Sequence, residues 1–401
     1  MKKLLLTLFV SVTLVATAAE KIQVTVMNSL PQARRGEVVV IPFREIRAHF
    51  PTAPIHNLVV RNAATGVEVP SQTTNFNPDD RRALCDDFLF QYDFAAGEKS
   101  AQFTIEAQAE PVPPYPARVF ARYVPDRLDD FAWENDRIAH RVYGPRLDSP
   151  AAGGSRMISS GIDVWCKRVP YLIVDRWYNK GHNAYHTDTG EGLDTYSVGT
   201  GRGCGGTGVW DGEKLHVSHN WQTWKILANG PLRTVFELTY APWDAGAGVK
   251  VSEVKRFTVD AGRNLDMIES TFTVQGGSGE ITVAVGIVEP PDAKLLATAK
   301  NEAGTWLSLW QEYPKAGQLG CGVVLAPEAA FAGFAAGKSD PKFRNQLVLA
   351  KVKTGQTLRY FAGAGWNRSG LFATQADWEA YLADFARRLR APIAVNVPAA
   401  K

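Results

Sequence analysis

Cysteine is scarce in this chain. Cys85, Cys166, Cys204 and Cys321 show no CxxC or CxxH spacing, which excludes the common structural zinc motifs and leaves three alternative disulfide pairings or four buried thiols. Net charge is scarce as well, with 44 Lys+Arg against 41 Asp+Glu and a formal +3. Nucleic acid and anionic membrane recruit through large basic surfaces, so neither is expected as a partner. No apolar run after Val15 approaches the roughly 18 residues of a membrane helix, and bilayer insertion is not expected. Cofactor fingerprints are missing: there is no HExxH and no Rossmann-type or P-loop pattern. The glycine-rich Gly201-Arg202-Gly203-Cys204-Gly205-Gly206 is not followed by a helical pattern, which a phosphate cradle requires. Helical periodicity is confined to Pro42 to His49 and to Thr374 to Arg390, where Trp378, Tyr381, Leu382, Phe385 and Leu389 recur before Pro392.

What the chain has is short, β-branched and aromatic runs between turn residues. Ile22 to Val26 alternates, Glu37 to Ile41 reads as a buried strand, and Phe88 to Phe94, Ser100 to Ile105, Arg233 to Tyr240, Val249 to Val259, Leu265 to Val274 and Glu280 to Val288 continue the pattern. Many strands with few helices predict an all-β fold, a large antiparallel β-sandwich with a C-terminal helix. Ala109 to Pro116 carries four prolines, which no interior strand tolerates. It divides a lead-in β region (19–110) from a main sandwich (111–401). Lys2 and Lys3, the apolar run Leu4 to Val15 and the small residues Ala16-Thr17-Ala18 match a secretory signal over residues 1–18. Its removal lowers the formal charge from +3 to +1, and the mature protein is expected in the periplasm or secreted.

The densest chemistry lies between Asp175 and Trp224. Four of the seven histidines, His182, His186, His216 and His219, stand there among Arg176, Trp177, Tyr178, Tyr185, Glu191, Asp194, Tyr196, Arg202, Trp221 and Trp224. Flat aromatic faces mixed with charged hydrogen-bonding groups suit a polar, ring-shaped ligand, so carbohydrate is the first substrate class to consider.

Three long phrases carry a family resemblance: Trp133 to Pro145 (WENDRIAHRVYGP), Gly161 to Tyr171 (GIDVWCKRVPY) and Trp224 to Thr234 (WKILANGPLRT), together with Tyr185-His186 to Gly206. They resemble the exported bacterial proteins of domain of unknown function family 4861, over nearly the whole mature chain. The resemblance implies a supersandwich similar to the galactose-mutarotase-like fold. It also implies a setting among polysaccharide-degrading enzymes, one relative acting as an oligosaccharide dehydratase in ulvan breakdown. By analogy, the expected activity is elimination of water or of a glycosyl group from a uronate-containing oligosaccharide. A fold hosts many activities, so a glycoside hydrolase, an aldose mutarotase or epimerase, and a non-catalytic glycan-binding protein stand as alternatives.

Elimination needs a cation facing the sugar carboxylate, a base for the C5 proton and an acid for the departing oxygen. Arg202, flanked by glycines, is the candidate clamp, and His186 and Tyr196 are the candidate base and acid in either order. Glu191 or Asp194 would orient the histidine. His140 and Arg137 form a second constellation on a predicted strand, and Trp177, Tyr178, Tyr185, Trp221 and Trp224 are candidate sugar contacts. The structural alternatives are a salt bridge for Arg202, a backbone-bonded His140 and a core Tyr196. No cofactor is expected. A divalent metal ion on Asp188, Glu191 and Asp194 is a secondary option, and paired use of the same carboxylates is what a hydrolase would need.

Overall fold

A computed structural model describes residues 21–77, 79 and 85–400. The expected leader, residues 1–18, lies outside the described residues. The main body is a two-layered antiparallel β-sandwich, as the strand-rich pattern predicts. One layer is an eight-stranded sheet ordered Thr223–Asn229, Arg233–Asp244, Lys250–Asp260, Leu265–Gln275, Thr357–Trp366, Gly317–Leu325, Trp306–Tyr313 and Lys294–Asn301. Alternation along these strands sends Phe236, Leu238, Phe257, Val259 and Ile268 inward.

The facing layer consists of two five-stranded sheets. The first, here the site sheet, runs Gly192–Asp194, Asp163–Lys167, Ile138–Val142, Asp130–Asn135 and Val119–Val124. The second, the flank sheet, runs Leu215–His216, Cys204–Trp210, Glu280–Glu289, Arg344–Lys353 and Ala330–Lys338. A parallel bridge between Ile162 and Gly203 joins them. Gly203 has φ +58°, and a Cβ there would lie 2.0 Å from the Ile162 carbonyl oxygen. The glycine-rich run thus serves the close approach of two chain segments, where a ligand was expected.

The site sheet is buried on both faces. Trp133, Ile138, Val142, Val164 and Cys166 face the eight-stranded sheet, each large apolar side chain contributing about 1.5–3 kcal/mol on burial. The opposite face presents Ala132, Ala139 and Trp165 to a covering segment that includes helix Val174–Asn179. Sequence periodicity misses this helix, because six residues are too few to show a 3.6 repeat. The two expected helices form at Phe43–His49 and Gln375–Arg390. Thr374 and Asp377 close a capping box on the latter, whose Trp378, Leu382 and Phe385 pack on Trp306, Trp310 and Phe361 outside the eight-stranded sheet.

The lead-in region builds two small sheets around Val24, Val39, Phe90, Phe103 and Ile105. The last strand, Ala394–Asn396, pairs with Lys21–Met27. A division at residue 110/111 is therefore crossed by the C-terminus, which a linear reading of the chain does not reveal. All four cysteines are free thiols in the structure, three of them buried.

Candidate functional site

The covering segment is held by one carboxylate. Glu134, buried on the site sheet, accepts the backbone N–H groups of Ile173 (2.7 Å) and Val174 (2.7 Å) and pairs with the buried Lys167 Nζ at 2.7 Å. These are the unsatisfied donors at the start of helix Val174–Asn179, and a carboxylate is the natural partner for them. Trp165 then receives Trp177, Tyr178 and Tyr185 at ring separations of 5.4, 5.2 and 5.0 Å.

Beneath this cover lies Arg141. Its guanidinium donates to Asp163 Oδ2 (2.5 Å from Nη2), to Asp194 Oδ2 (3.0 Å) and to Tyr185 Oη (3.4 Å). Asp130 Oδ2 is 3.7 Å away, and the rings of Trp165 and Tyr143 lie 5.2 and 5.3 Å from its Cζ. One arginine faces three buried carboxylates. Burial pushes the Asp130 carboxyl up to about 6 against the opposing field of Arg141. Burial also raises Asp194 well above the carboxylate range, with Asp163 repelling its charge, and raises Asp163 itself. Burial works against the Arg141 charge too, yet Asp163 and Asp194 hold it firmly protonated.

Two imidazoles cover the mouth of this cluster, and both are exposed. His186 Nδ1 is 3.0 Å from the Asp194 carbonyl oxygen, an acceptor only, so Nδ1 carries the proton and Nε2 offers a free lone pair. His182 Nδ1 is 2.8 Å from Tyr185 Oη. That oxygen accepts from Arg141 and still has its own proton to give; donated to His182 Nδ1, it leaves the His182 proton on Nε2. The rings lie 5.2 Å apart, edge to face. Burial lowers the His182 pKa, assisted by Arg127, His186 and Arg141.

Arg141, Asp130 and Asp163 were not among the residues expected from the sequence, and neither was Arg127. It ends a short turn, Pro125–Arg127, followed by Leu128 and Asp129 at φ +54° and +64°, a left-handed pair without glycine. Strained backbone of this kind concentrates at functional sites. Arg127 Nε is shielded from solvent and has no hydrogen-bond partner, while the field of Arg127 reaches Asp130, Asp194 and His182. Asp129 accepts from Tyr123 Oη, and Trp224, 42 % exposed, stacks on Tyr123 at 5.4 Å. No glycine or repeat in Pro125-Asp126-Arg127-Leu128-Asp129 signals the bend.

Among the residues expected from the sequence, His186, Tyr185 and Asp194 come together here. The others go elsewhere. Arg202 is fully buried, donating to Ser160 Oγ (2.8 Å) and to the carbonyl oxygens of Thr207 (3.0 Å) and Thr200 (3.2 Å). It faces the sandwich interior and is closed to a carboxylate ligand; burial lowers its pKa to about 10. Tyr196 is buried in the same interior against Tyr313. His140 is 2 % exposed, stacked on Trp133, with Nδ1 3.0 Å from the Asp163 carbonyl oxygen and Nε2 3.6 Å from Asp266. Burial holds its pKa down to about 4.

Glu191 binds Arg176, Lys180, Tyr171 and the Trp177 Nε1–H, and these hydrogen bonds, led by Lys180, bring its pKa to about 2. It orients no histidine. Asp188 pairs with Arg168, so Asp188, Glu191 and Asp194 point to separate partners, against both the metal and the paired-carboxylate expectations. Among the described residues no three His, Cys, Asp or Glu side chains converge on a metal site. Trp177, Tyr178 and Trp221 are buried; only Trp224 of these rings is open. His216 and His219 pair with Asp211 and Asp148 at the surface. Arg137 lies in the turn after Asp130–Asn135, outside the histidine site, and lines two other cavities.

Comparison with known sequences matches residues 26–395 to the model of the domain of unknown function DUF4861. The chain belongs to this family. A relative from Formosa agariphila, described as uncharacterized protein P7, is 31% identical over 381 residues, covering 93% of each chain. Among solved structures, an alpha-mannosidase from Enterococcus faecalis aligns over 95% of this chain and 46% of its own, with 8% identity and a TM-score of 0.46. A glycosyl hydrolase family 38 protein from the same organism aligns over 95% and 48%, with 9% identity and a TM-score of 0.48. The chain spans about half the length of these structures, and likeness at this level carries no argument about activity.

Proposed function

We propose that this DUF4861 protein is an exported carbohydrate-active lyase that eliminates water or a glycosyl group from a uronate-containing oligosaccharide. The observation that carries the reading is a pair of exposed imidazoles 5.2 Å apart, His186 bonded through Nδ1 to the Asp194 carbonyl so that Nε2 is free and His182 held through Nδ1 by Tyr185 Oη, beside an arginine without a hydrogen-bond partner at Nε.

In the proposed reaction His186 Nε2 takes the C5 proton of the uronate. The C5–H electron pair becomes the C4=C5 double bond, the C4–O bond breaks, and the departing oxygen takes the His182 Nε2 proton as the Tyr185 hydroxyl gives its own to His182 Nδ1, so that the charge rests on a phenolate beside Arg141 and not on an imidazolate. The product leaves as an unsaturated uronate with water or the released sugar, and a proton passes from His186 back to His182 through solvent. Arg127 faces the carboxylate on which charge builds in the transition state. Burial beneath the imidazoles keeps the carboxyls of Asp130 and Asp194 prone to protonation, so the cluster does not compete as a fixed block of negative charge for Arg127. Trp224 offers an open aromatic face for a neighbouring sugar ring. Export fits the N-terminal run Lys2 to Ala18 and is tested by sequencing the mature N-terminus.

The experiment is a time course of ultraviolet absorbance from the new conjugated double bond, with mass spectrometry, on a panel of uronate oligosaccharides. Wild type is expected to give a product lighter by one water, or paired fragments. His182→Ala and His186→Ala should each lower kcat by about 10²–10⁴-fold, and Arg127→Ala should act on kcat and KM together. No product from any uronate, or full turnover in both histidine variants, overturns the reading.

A further inference from the structure

Away from the histidine site, the seam between the lead-in sheets, the Gly262–Asn264 turn and helix Gln375–Arg390 encloses a cavity of about 450 Å³, within the range of ligand sites. A second cavity of about 420 Å³ adjoins it, and the two share Arg35, Arg137 and Gly262 in their walls. Five arginines line the first cavity against two carboxylates, Glu37 and Asp384.

The two carboxylates are already engaged. Glu37 lies 3.3 Å from Arg34 Nε, 3.4 Å from Arg388 Nη1 and 3.8 Å from Arg263 Nη2, and Asp384 pairs with Arg388 at 2.5 Å. In the second cavity Arg118 is paired with Asp136 at 2.6 Å, and Asp93 accepts the Gly36 N–H. Arg35 and Arg137 remain. Among the described residues their guanidinium groups have no ion-pair or hydrogen-bond partner, and both face the same two cavities. Both guanidinium groups therefore have donors to offer an anion that enters this space, and such an anion would offset their mutual repulsion. The lining of the first cavity also includes Phe372, Phe385 and Tyr381, so the space combines cationic and aromatic groups.

The geometry points to a second binding site, for an acidic oligosaccharide whose carboxylate bridges Arg35 and Arg137 and whose ring lies on the aromatic groups. The sugar identity of the ligand rests on the reading of the histidine site; the anion requirement does not. The site would hold a polymer strand while the histidines act on an end.

The test is calorimetric binding of a galacturonate tetrasaccharide and of its neutral methyl ester to wild type, to the Arg35→Ala/Arg137→Ala double variant and to His182→Ala/His186→Ala. Wild type is expected to bind the acid at least tenfold more tightly than the ester, with affinity falling as salt rises. The double arginine variant should lose that binding yet keep turnover on short substrates, and the histidine variant should retain it. Neither guanidinium has a partner among the described residues, so the double variant is expected to fold, which circular dichroism checks; Arg35→Lys/Arg137→Lys should restore part of the affinity. Equal binding of acid and ester, no binding of either, or undiminished binding in the double arginine variant overturns the proposal. Binding kept without turnover in wild type would sink the lyase reading alone.

Discussion

Replacing Arg141 with Gln removes the guanidinium bonded to both Asp163 and Asp194 and leaves three buried carboxyls facing one another. Breaking a buried charge network by deleting one member costs about 3–5 kcal/mol when the remaining charges stay ionised. Here they need not. Asp130, Asp163 and Asp194 all have folded pKa values raised above the usual carboxylate range, Asp130 to about 6 with Arg141 still present. A group raised on folding contributes stability that is full below its unfolded pKa and is lost as pH rises through its folded pKa. Removing Arg141 raises these carboxyls further, so the penalty must grow with pH. The expectation for Arg141→Gln is a loss of about 3–5 kcal/mol near pH ~8 and less than about half of that near pH ~5. Urea unfolding followed by tryptophan fluorescence measures it, since Trp165 lies 5.2 Å from the guanidinium. A loss under about 1 kcal/mol, or one equal at both pH values, would refute the idea that Arg141 offsets three carboxylates.

Arg202→Ala should destabilise by about 3–5 kcal/mol, through a cavity and carbonyl oxygens left without donors. Substrate affinity in the folded fraction should be unchanged; a raised KM with unaltered stability would restore Arg202 as a ligand clamp. Asp266→Asn tests the buried pair with His140. Burial raises Asp266 to about 7 against the Trp133 Nε1 hydrogen bond of 2.7 Å, so its contribution is present in acid and lost as pH rises through about 7. The neutral isostere should therefore gain on wild type by about 2–3 kcal/mol between pH ~5 and pH ~8 in denaturant titrations. A constant difference across that range would mean an ionised Asp266 paired with a charged His140.

The sheets were legible because alternation and β-branching act locally. Phe88 to Phe94 and Glu280 to Val288 sit in strands Asp87–Phe94 and Glu280–Glu289, and Thr374 announces its helix through a side-chain cap. The crowding of chemistry between Asp175 and Trp224 was legible too, and His186, Tyr185 and Asp194 do meet. Partner choice was not legible. Arg141 stood in the quoted phrase WENDRIAHRVYGP, yet Asp163 and Asp194 reach it only through the antiparallel pairing of Arg141 with Asp163 and of Trp165 with Asp194. Arg202 misled because glycines around an arginine look the same whether a ligand or another strand approaches. Arg127 was invisible, since its placement depends on a left-handed bend at Leu128 and Asp129.

Two of the buried ionic clusters, that of Arg141 and that of Glu253 with Lys255, differ in their access to solvent, and access separates their roles. Glu253 and Lys255 pair at 2.5 Å inside the sandwich, with Thr207 Oγ1 2.9 Å from both Glu253 oxygens and Tyr240 4.7 Å from the ammonium. All four side chains are buried, so that network can fix the register of the facing sheets but cannot exchange a proton with a substrate. The Arg141 cluster is as deeply placed, yet Tyr185 and the Asp194 carbonyl connect it to imidazoles at the surface. A proton-transfer site needs both a shielded interior that shifts pKa values and a titratable group at the boundary. The combination occurs at His182 and His186, which is the physical reason for placing the proposed chemistry there.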